Sequence, residues 1–252
     1  MLERFSLKGK IALVTGSSRG LGAGIAMALA EAGASVTVHG SREAPEATQQ
    51  GLAAIGAAHF ALVGDVSDAA VCASLIEEVV LHFGTIDILV NNAGTIRRAP
   101  AAEHSDEDWQ TVIDTNLSSV FRLTKHAGKH MLAKGSGKII NIASMLTFQG
   151  GVFVPSYAAA KGGVGQLTKA FANEWAGKGV NVNAIAPGYM TTDNTEVLRA
   201  NPERLRQILE RIPAGRWGYP EDLAGAAVFL ASSASDYVHG HILAVDGGWL
   251  SR

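Results

Sequence analysis

Short apolar runs alternate with longer stretches of helical periodicity along almost the whole chain. Ile11 to Val14 is an uninterrupted apolar run ahead of a glycine cluster, the pattern of a strand buried on both faces. Comparable runs predict strands at Ser35 to His39, His59 to Val63, Ile86 to Val90, Lys138 to Ile142, Val180 to Ala186 and Ile242 to Val245. Helices are expected between them. The first runs from Gly20 to Ala32 and stops at Gly33, and the second runs from Glu43 to Ile55 with Pro45 in its first turn. The third spans Asp68 to Phe83, with Val71, Leu75 and Val79 on one stripe. Ser105 and Asp108 resemble a capping box that opens one long helix reaching to about Lys134. Further helical patterns lie at Ser156 to Gly177, within Thr192 to Arg211, and within Glu221 to Ser232.

Strands separated by helices need right-handed crossovers. The fold class is therefore α/β: a three-layer, doubly wound Rossmann fold with a mostly parallel sheet. Its ligands bind beyond the carboxyl ends of the strands, and each polar cluster below follows such an end. A length of 252 residues suits one domain, 1–252, and no repeat or low-complexity linker divides it.

A formal net charge of -2, with the signs mixed, gives no electrostatic footprint for nucleic acid. Trp109, Trp175, Trp217 and Trp249 are too scattered to form a base-stacking platform. The uncharged stretch from Ile139 to Ala160 contains Asn141, Gln149, two glycines and Pro155, so a membrane span is not expected. Cys72 is the lone cysteine and Met1 to Lys10 lacks an apolar leader, so the expectation is a cytoplasmic protein. His126 with His130, and His239 with His241, lack the further ligands of a zinc site, so no metal is expected.

Thr15-Gly16-Ser17-Ser18-Arg19-Gly20-Leu21-Gly22 joins the first strand to the first helix. A diphosphate can approach backbone that lacks side chains, and a helix N-terminus offers amide donors and a favourable dipole. The spacing differs from Gly-x-Gly-x-x-Gly, so a turn serving only close packing is the alternative. Tyr157 and Lys161 stand four apart at a helix start and share a face. A free phenol has a pKa of about 10, and lowering it by about three units takes about 4 kcal/mol. An ammonium about 4 Å away supplies about that much at an effective dielectric of about 20. Ser144, after the fifth strand, could bond a substrate oxygen, and Asn116 sits where a helix disfavours asparagine.

Taken together, Thr15-Gly16-x3-Gly20-x-Gly22, Asn91-Asn92-Ala93-Gly94, Asn116, Ser144, Tyr157-x3-Lys161 and Pro187-Gly188 resemble the short-chain dehydrogenases/reductases. The resemblance covers about residues 7 to 252 and implies a seven-stranded sheet and a homotetramer packed through the two long helices. It implies Tyr157 as acid/base, with Lys161 lowering its pKa and holding the nicotinamide ribose, Ser144 orienting the carbonyl, and Asn116 positioning a water. The implied cofactor site comprises Gly16, Ser18, Arg19, Gly20, Leu21 and Gly22 of the loop, Ser41 and Arg42, and Asp65 and Val66 at the adenine. Asn92, Ala93 and Gly94 complete it with Pro187, Gly188, Met190 and Thr192, the last meeting the nicotinamide carboxamide or phosphates.

Asn141-Ile-Ala-Ser-Met-Leu-Thr-Phe-Gln-Gly-Gly, Asn183-Ala-Ile-Ala-Pro-Gly-Tyr, Ile212-Pro-Ala-Gly-Arg-Trp-Gly, Val245-Asp-Gly-Gly-Trp-Leu and Thr95-Ile-Arg-Arg are similar to a subgroup. That subgroup holds the 2-deoxy-D-gluconate 3-dehydrogenases and 2-dehydro-3-deoxy-D-gluconate 5-dehydrogenases, which implies a sugar-acid substrate. A carboxylate entering a cleft needs neutralising, and Arg97 or Arg98 is best placed for that, with Gln149 and Tyr189 at the hydroxyls. Arg216 is expected to be structural. Gly40 stands where an acid would hold a ribose hydroxyl, while Arg19 and Arg42 suit a 2′-phosphate. NADP(H) is favoured, and Glu43 leaves NAD(H) open. Gluconate, a polyol or a 3-oxoacyl thioester are rival substrates. A non-catalytic dinucleotide sensor would not need Ser144, Tyr157 and Lys161 together.

Overall fold

The computed structural model describes residues 2–252. Its strands are β1 (Ile11–Val14), β2 (Ser35–Gly40), β3 (His59–Val63), β4 (Ile88–Asn91), β5 (Gly137–Ile142), β6 (Val180–Pro187) and β7 (Ile242–Val245). They pair in parallel throughout, in the order β3-β2-β1-β4-β5-β6-β7. Successive strand residues point to opposite faces, and both faces of the central β1 are covered, which is why that strand is continuously apolar. Ala12 and Val14 pack with Ile25 and Leu29 of α1 (Gly20–Glu31). Ile11 and Leu13 pack with Leu75 and Val79 of α3 (Ala69–Phe83) on the other side, α2 (Glu46–Ala54) lying between these helices in sequence. No helix among the described residues is long and apolar enough to cross a membrane.

The expected long helix from Ser105 is instead two helices, α4 (Asp106–Ile113) and α5 (Ser119–Lys134), joined by a π turn over Asp114–Ser118. Ser105 does cap α4, its Oγ accepting the Asp108 N–H at 3.1 Å. The turn widens because the Ser119 N–H reaches back to the Asp114 carbonyl, and π turns of this kind recur at functional sites. The next helix, α6, is Pro155–Trp175. The pattern within Thr192 to Arg211 likewise splits into a 3-10 turn, α7 (Glu196–Ala200) and α8 (Pro202–Arg211). Pro202 disfavours helix at the residue before it, and Asn201 becomes the cap of α8. α9 is Ala224–Ala231, on the α1 face of the sheet. Smaller shifts have local causes. Pro45 delays α2 to Glu46, and β4 starts at Ile88, behind Asp87, whose carboxylate accepts the Ile11 N–H and pairs with Lys134.

Beneath the carboxyl ends of the central strands lies a buried polar chain. Asn91 Nδ2 donates to Asn141 Oδ1 at 2.8 Å and to Thr124 Oγ1 of α5 at 3.0 Å. Asn141 Nδ2 donates to Thr168 Oγ1 of α6 at 2.9 Å, and the Thr168 hydroxyl donates in turn to the Val164 carbonyl. These bonds fix β4 and β5 against both helices in a region that excludes water, where an unpaired group is costly. Asn141→Ala is expected to cost about 3 kcal/mol, measured as a lowered denaturant midpoint. A loss below about 1 kcal/mol would mean that apolar packing alone sets this register.

Candidate active site

β1 sits between β2 and β4, so the chain leaves in opposite directions on its two sides and opens a crevice at the carboxyl ends. Side-chain bonds hold the crevice walls together. Thr15 Oγ1 accepts the Asn92 and Ala93 N–H groups at 3.0 and 3.1 Å, and Asn92 Nδ2 donates to the Thr15 and Gly16 carbonyls. A side chain at Gly22 would collide with the Gly16 carbonyl and the Asn92 amide, so the loop must be bare here to lie across α1. Arg19, at the cap position of that helix, makes no side-chain capping bond, so its side chain leaves the first-turn amides to a ligand. Those amides and the helix dipole fit the diphosphate of a dinucleotide.

Ser18, Ser41 and Arg42 are exposed at this crevice end, and Asp65, with Oδ1 on the Ser67 N–H, is exposed after β3. Leu21 is half-buried and Val66 is buried. Gly20 and Thr192 face one another, for a side chain built at Gly20 would lie 3.6 Å from Thr192 Cγ2. Pro187 ends β6, Gly188 packs on Asp246, and buried Met190 bridges to Gly218. Gly94 lies against Asn116. Arg19 is turned to Asp193 in a 2.7 Å ion pair, both side chains being largely exposed. An acid at Gly40 has no room: even a Cβ would strike the Glu43 carbonyl.

Ser144, Tyr157 and Lys161 come together across β5 and α6. Ser144 caps a 3-10 turn at Met145–Thr147, its Oγ accepting the Leu146 N–H at 3.1 Å. Thr147 Oγ1 closes the cap from the Ser144 N–H and donates to the Lys161 carbonyl at 2.9 Å, tying this turn to α6. Tyr157, in the first turn of α6, is hydrogen-bonded to Ser144. Burial raises the phenol above its ordinary value, while the Ser144 bond and the positive charge of Arg98 oppose that rise. Lys161 is buried, donates from Nζ to the Ile142 carbonyl at 2.5 Å, and lies 5.6 Å from the centre of the Tyr157 ring. Burial pushes its ammonium down to about 8.

Asn116 is fully buried, with Oδ1 on the Thr95 N–H and Nδ2 on the Thr95 carbonyl, both at 2.8 Å. Both ends of its side chain thus hold the segment after β4, and the π turn is what aims them there. The paired arginines diverge. Arg97 lies on Asp108 of α4 at 3.2 Å, whereas the charge of Arg98 acts on Tyr157. Gln149 and Tyr189 belong to a separate wall. Tyr189 packs edge-on to Trp217 and Trp249, while Arg211 covers Trp249 at 4.0 Å and reaches Gln149 at 3.5 Å. Arg216 is held by Asp222 through two 2.7 Å bonds. Sequence reasoning passed over Arg211 and the buried His39, neither of which belongs to a motif. Among the described residues no His, Cys, Asp and Glu cluster is arranged to hold a metal.

Residues 16–250 match the family model described as enoyl-(acyl carrier protein) reductase. The chain is 58% identical, over 100% of both chains, to the 2-dehydro-3-deoxy-D-gluconate 5-dehydrogenase of Pseudoalteromonas atlantica. A crystal structure from Agrobacterium tumefaciens, provisionally assigned as a 2-deoxy-D-gluconate 3-dehydrogenase with bound NADP, has a TM-score of 0.93 and 56% identity, covering 99% of each chain. Another, from Beutenbergia cavernae, is provisionally assigned as an NAD(P)-dependent gluconate 5-dehydrogenase with NADP at low occupancy. It has a TM-score of 0.95 and 50% identity, covering 99% of this chain and 100% of that one.

The desolvated Lys161 is expected to lose its proton near pH 8 in cofactor-free protein. The unfolded chain holds that proton to about pH 10.4, so this group makes stability rise as pH climbs between the two values. An NMR titration of the lysine side chains checks this, and a Lys161 midpoint at the ordinary lysine value would contradict the burial argument.

Proposed function

The chain belongs to the short-chain dehydrogenase/reductase family of nicotinamide-dependent oxidoreductases, and we propose that it interconverts a secondary alcohol and a ketone of a sugar acid, 2-dehydro-3-deoxy-D-gluconate or 2-deoxy-D-gluconate, with NADP(H). The carrying observation is the convergence of Ser144, Lys161 and the Arg98 charge on one half-buried tyrosine. The relatives' names supply the substrate class. Gluconate is the second reading, favoured by the Beutenbergia cavernae relative.

In this reading the dinucleotide, when bound, supplies the hydride acceptor or donor. Tyr157 Oη takes the proton of the substrate hydroxyl in oxidation and returns it in reduction. Ser144, its own oxygen already fixed by the Leu146 N–H, donates a hydrogen bond to the reacting oxygen and orients it. Lys161, anchored on the Ile142 carbonyl, holds a positive charge beneath the site and bonds the ribose. Arg98 neutralises the substrate carboxylate, and Asn116 keeps the wall after β4 in place. Glycine-loop residues with Asp65, Val66, Asn92, Ala93, Gly94, Met190 and Thr192 hold the dinucleotide. Arg42 grips the 2′-phosphate, and the crowded Gly40 supports the phosphate-bearing form because an acid cannot stand there. The protein is taken as a cytoplasmic homotetramer, its subunit packing supported by an apolar groove at Leu117 of the π turn, Phe121 of α5, and Gly163, Leu167 and Ala170 of α6.

Nicotinamide reduction by purified protein with 2-dehydro-3-deoxy-D-gluconate or 2-deoxy-D-gluconate, in parallel with NADP and NAD, tests the proposal. Turnover with NADP preferred is expected, and none with either sugar acid or either dinucleotide would overturn the substrate assignment. Tyr157→Phe should lower kcat by about 10³-fold while the protein still binds dinucleotide. Arg98→Ala should raise the sugar-acid KM by about 10- to 100-fold, the loss of one charged hydrogen bond, with Arg97→Ala nearly silent. Arg42→Ala should weaken NADPH more than NADH, and equal losses would remove the phosphate role.

A further inference from the structure

His39, the penultimate residue of β2, is 1% exposed and spends every polar atom on the walls of the crevice. Its N–H donates to Ser17 Oγ at 2.8 Å, and its carbonyl accepts the Ser17 N–H at 2.9 Å. The ring does more than pack. Nδ1 accepts the Gly16 N–H at 3.1 Å, while Nε2 meets the Gly64 carbonyl at 2.8 Å. A carbonyl can only accept, so Nε2 carries the proton and Nδ1 is bare. The imidazole is therefore neutral, in one tautomer, and spans from the glycine loop to the segment bearing Asp65 and Val66.

We propose that His39 is a positioning residue for the dinucleotide: its bare Nδ1 sets the Gly16 amide, and with it the phosphate loop, at a fixed distance from the adenine-side segment. The proposal rests on the reading that this loop holds a dinucleotide. It adds a requirement no glycine motif contains, because a protonated ring would turn an N–H against the Gly16 N–H. The loop would then lose an internal anchor at acid pH. Burial holds the His39 pKa below its ordinary value, against the Gly64 bond and the Asp65 charge, which raise it. Of the other charged groups nearby, Arg19 on the glycine loop is turned to Asp193, and Arg42 and Glu43 beyond the strand are exposed.

Two substitutions separate the two ring contacts. An asparagine Oδ1 occupies the place of Nδ1 and does not titrate, whereas a glutamine Nε2 reaches the place of the ring Nε2 and leaves Gly16 unpaired. NADPH binding by wild type, His39→Asn and His39→Gln is to be measured by fluorescence titration between about pH 5 and 8. The ligand's own phosphate titrates near about pH 6 in every variant, so the difference between proteins is the quantity read. His39→Asn should bind within about threefold of wild type at about pH 8 and lose less affinity on acidification. His39→Gln should bind about tenfold more weakly throughout, as expected for one unsatisfied buried donor, with kcat at saturating cofactor within about twofold. Glutamine binding as tightly as histidine, or asparagine keeping the full wild-type acid loss, would overturn the proposal. Exchange of the Gly16 amide in cofactor-free protein is the second readout. It should quicken in His39→Gln and not in His39→Asn, and equal protection in all three would also overturn it. If wild type binds no NADPH, the dinucleotide reading fails, while the exchange result still decides the His39–Gly16 contact.

Discussion

β1, β4 and β5 must end at one level, and side chains fix that level. Main-chain pairing in a parallel sheet repeats every two residues and cannot by itself choose among registers one repeat apart. Here the choice is made by polar groups that fit in one arrangement only. Thr15 and Asn92 fasten the end of β1 to the end of β4, and Asn91 with Asn141 fastens β4 to β5. Because Asn141 also binds Thr168, the level of the strands is transmitted to α6, the helix that carries Tyr157 and Lys161. Shifting β5 by one residue would therefore move Ser144 away from the tyrosine while also stranding buried amides. The architecture of the proposed reactive centre and the stability of the sheet are one problem, solved by the same bonds.

The reactive side chains work against their surroundings. Burial disfavours both a phenolate at Tyr157 and an ammonium at Lys161. A partly desolvated site makes each remaining interaction stronger, but it leaves the two groups dependent on a few partners: Ser144 and Arg98 for the phenol, the Ile142 carbonyl for the amine. A substrate carboxylate arriving at Arg98 would neutralise one of those partners. The state of the tyrosine is thus coupled to what sits beside it, which suits the proton exchange proposed for it.

Much of this was legible in the sequence because it depended on periodicity and on motifs whose members lie within a few residues. The strands, the glycine loop and the Tyr157–Lys161 pair are of that kind. What escaped was geometry made by distant segments. Asn116 was visible as an awkward helix residue, yet nothing local indicates that a π turn would aim it at Thr95. Arg97 and Arg98 are indistinguishable by position, and only the packing of α4 gives Asp108 to one of them. His39 carries no motif, since its partners Gly16 and Gly64 are backbone groups that any sequence possesses. The break at Pro202 is the opposite case: its signal was local and visible, and apolar spacing on both sides of the proline masked it.

Gly40 carries a consequence for descent. In this turn the missing side chain is matched by the inward lie of the Glu43 carbonyl, so the vacancy is written into backbone rather than into a side chain. A lineage carrying this turn cannot place an acid at position 40 by one nucleotide change, because the new carbon has nowhere to go. The stretch from Ser41 to Pro45 would first have to be relaid, through an insertion, a deletion or several coordinated changes. Whether an acid can stand at the end of β2 is then inherited as loop length and shape, and lineages should differ there by steps rather than by drift.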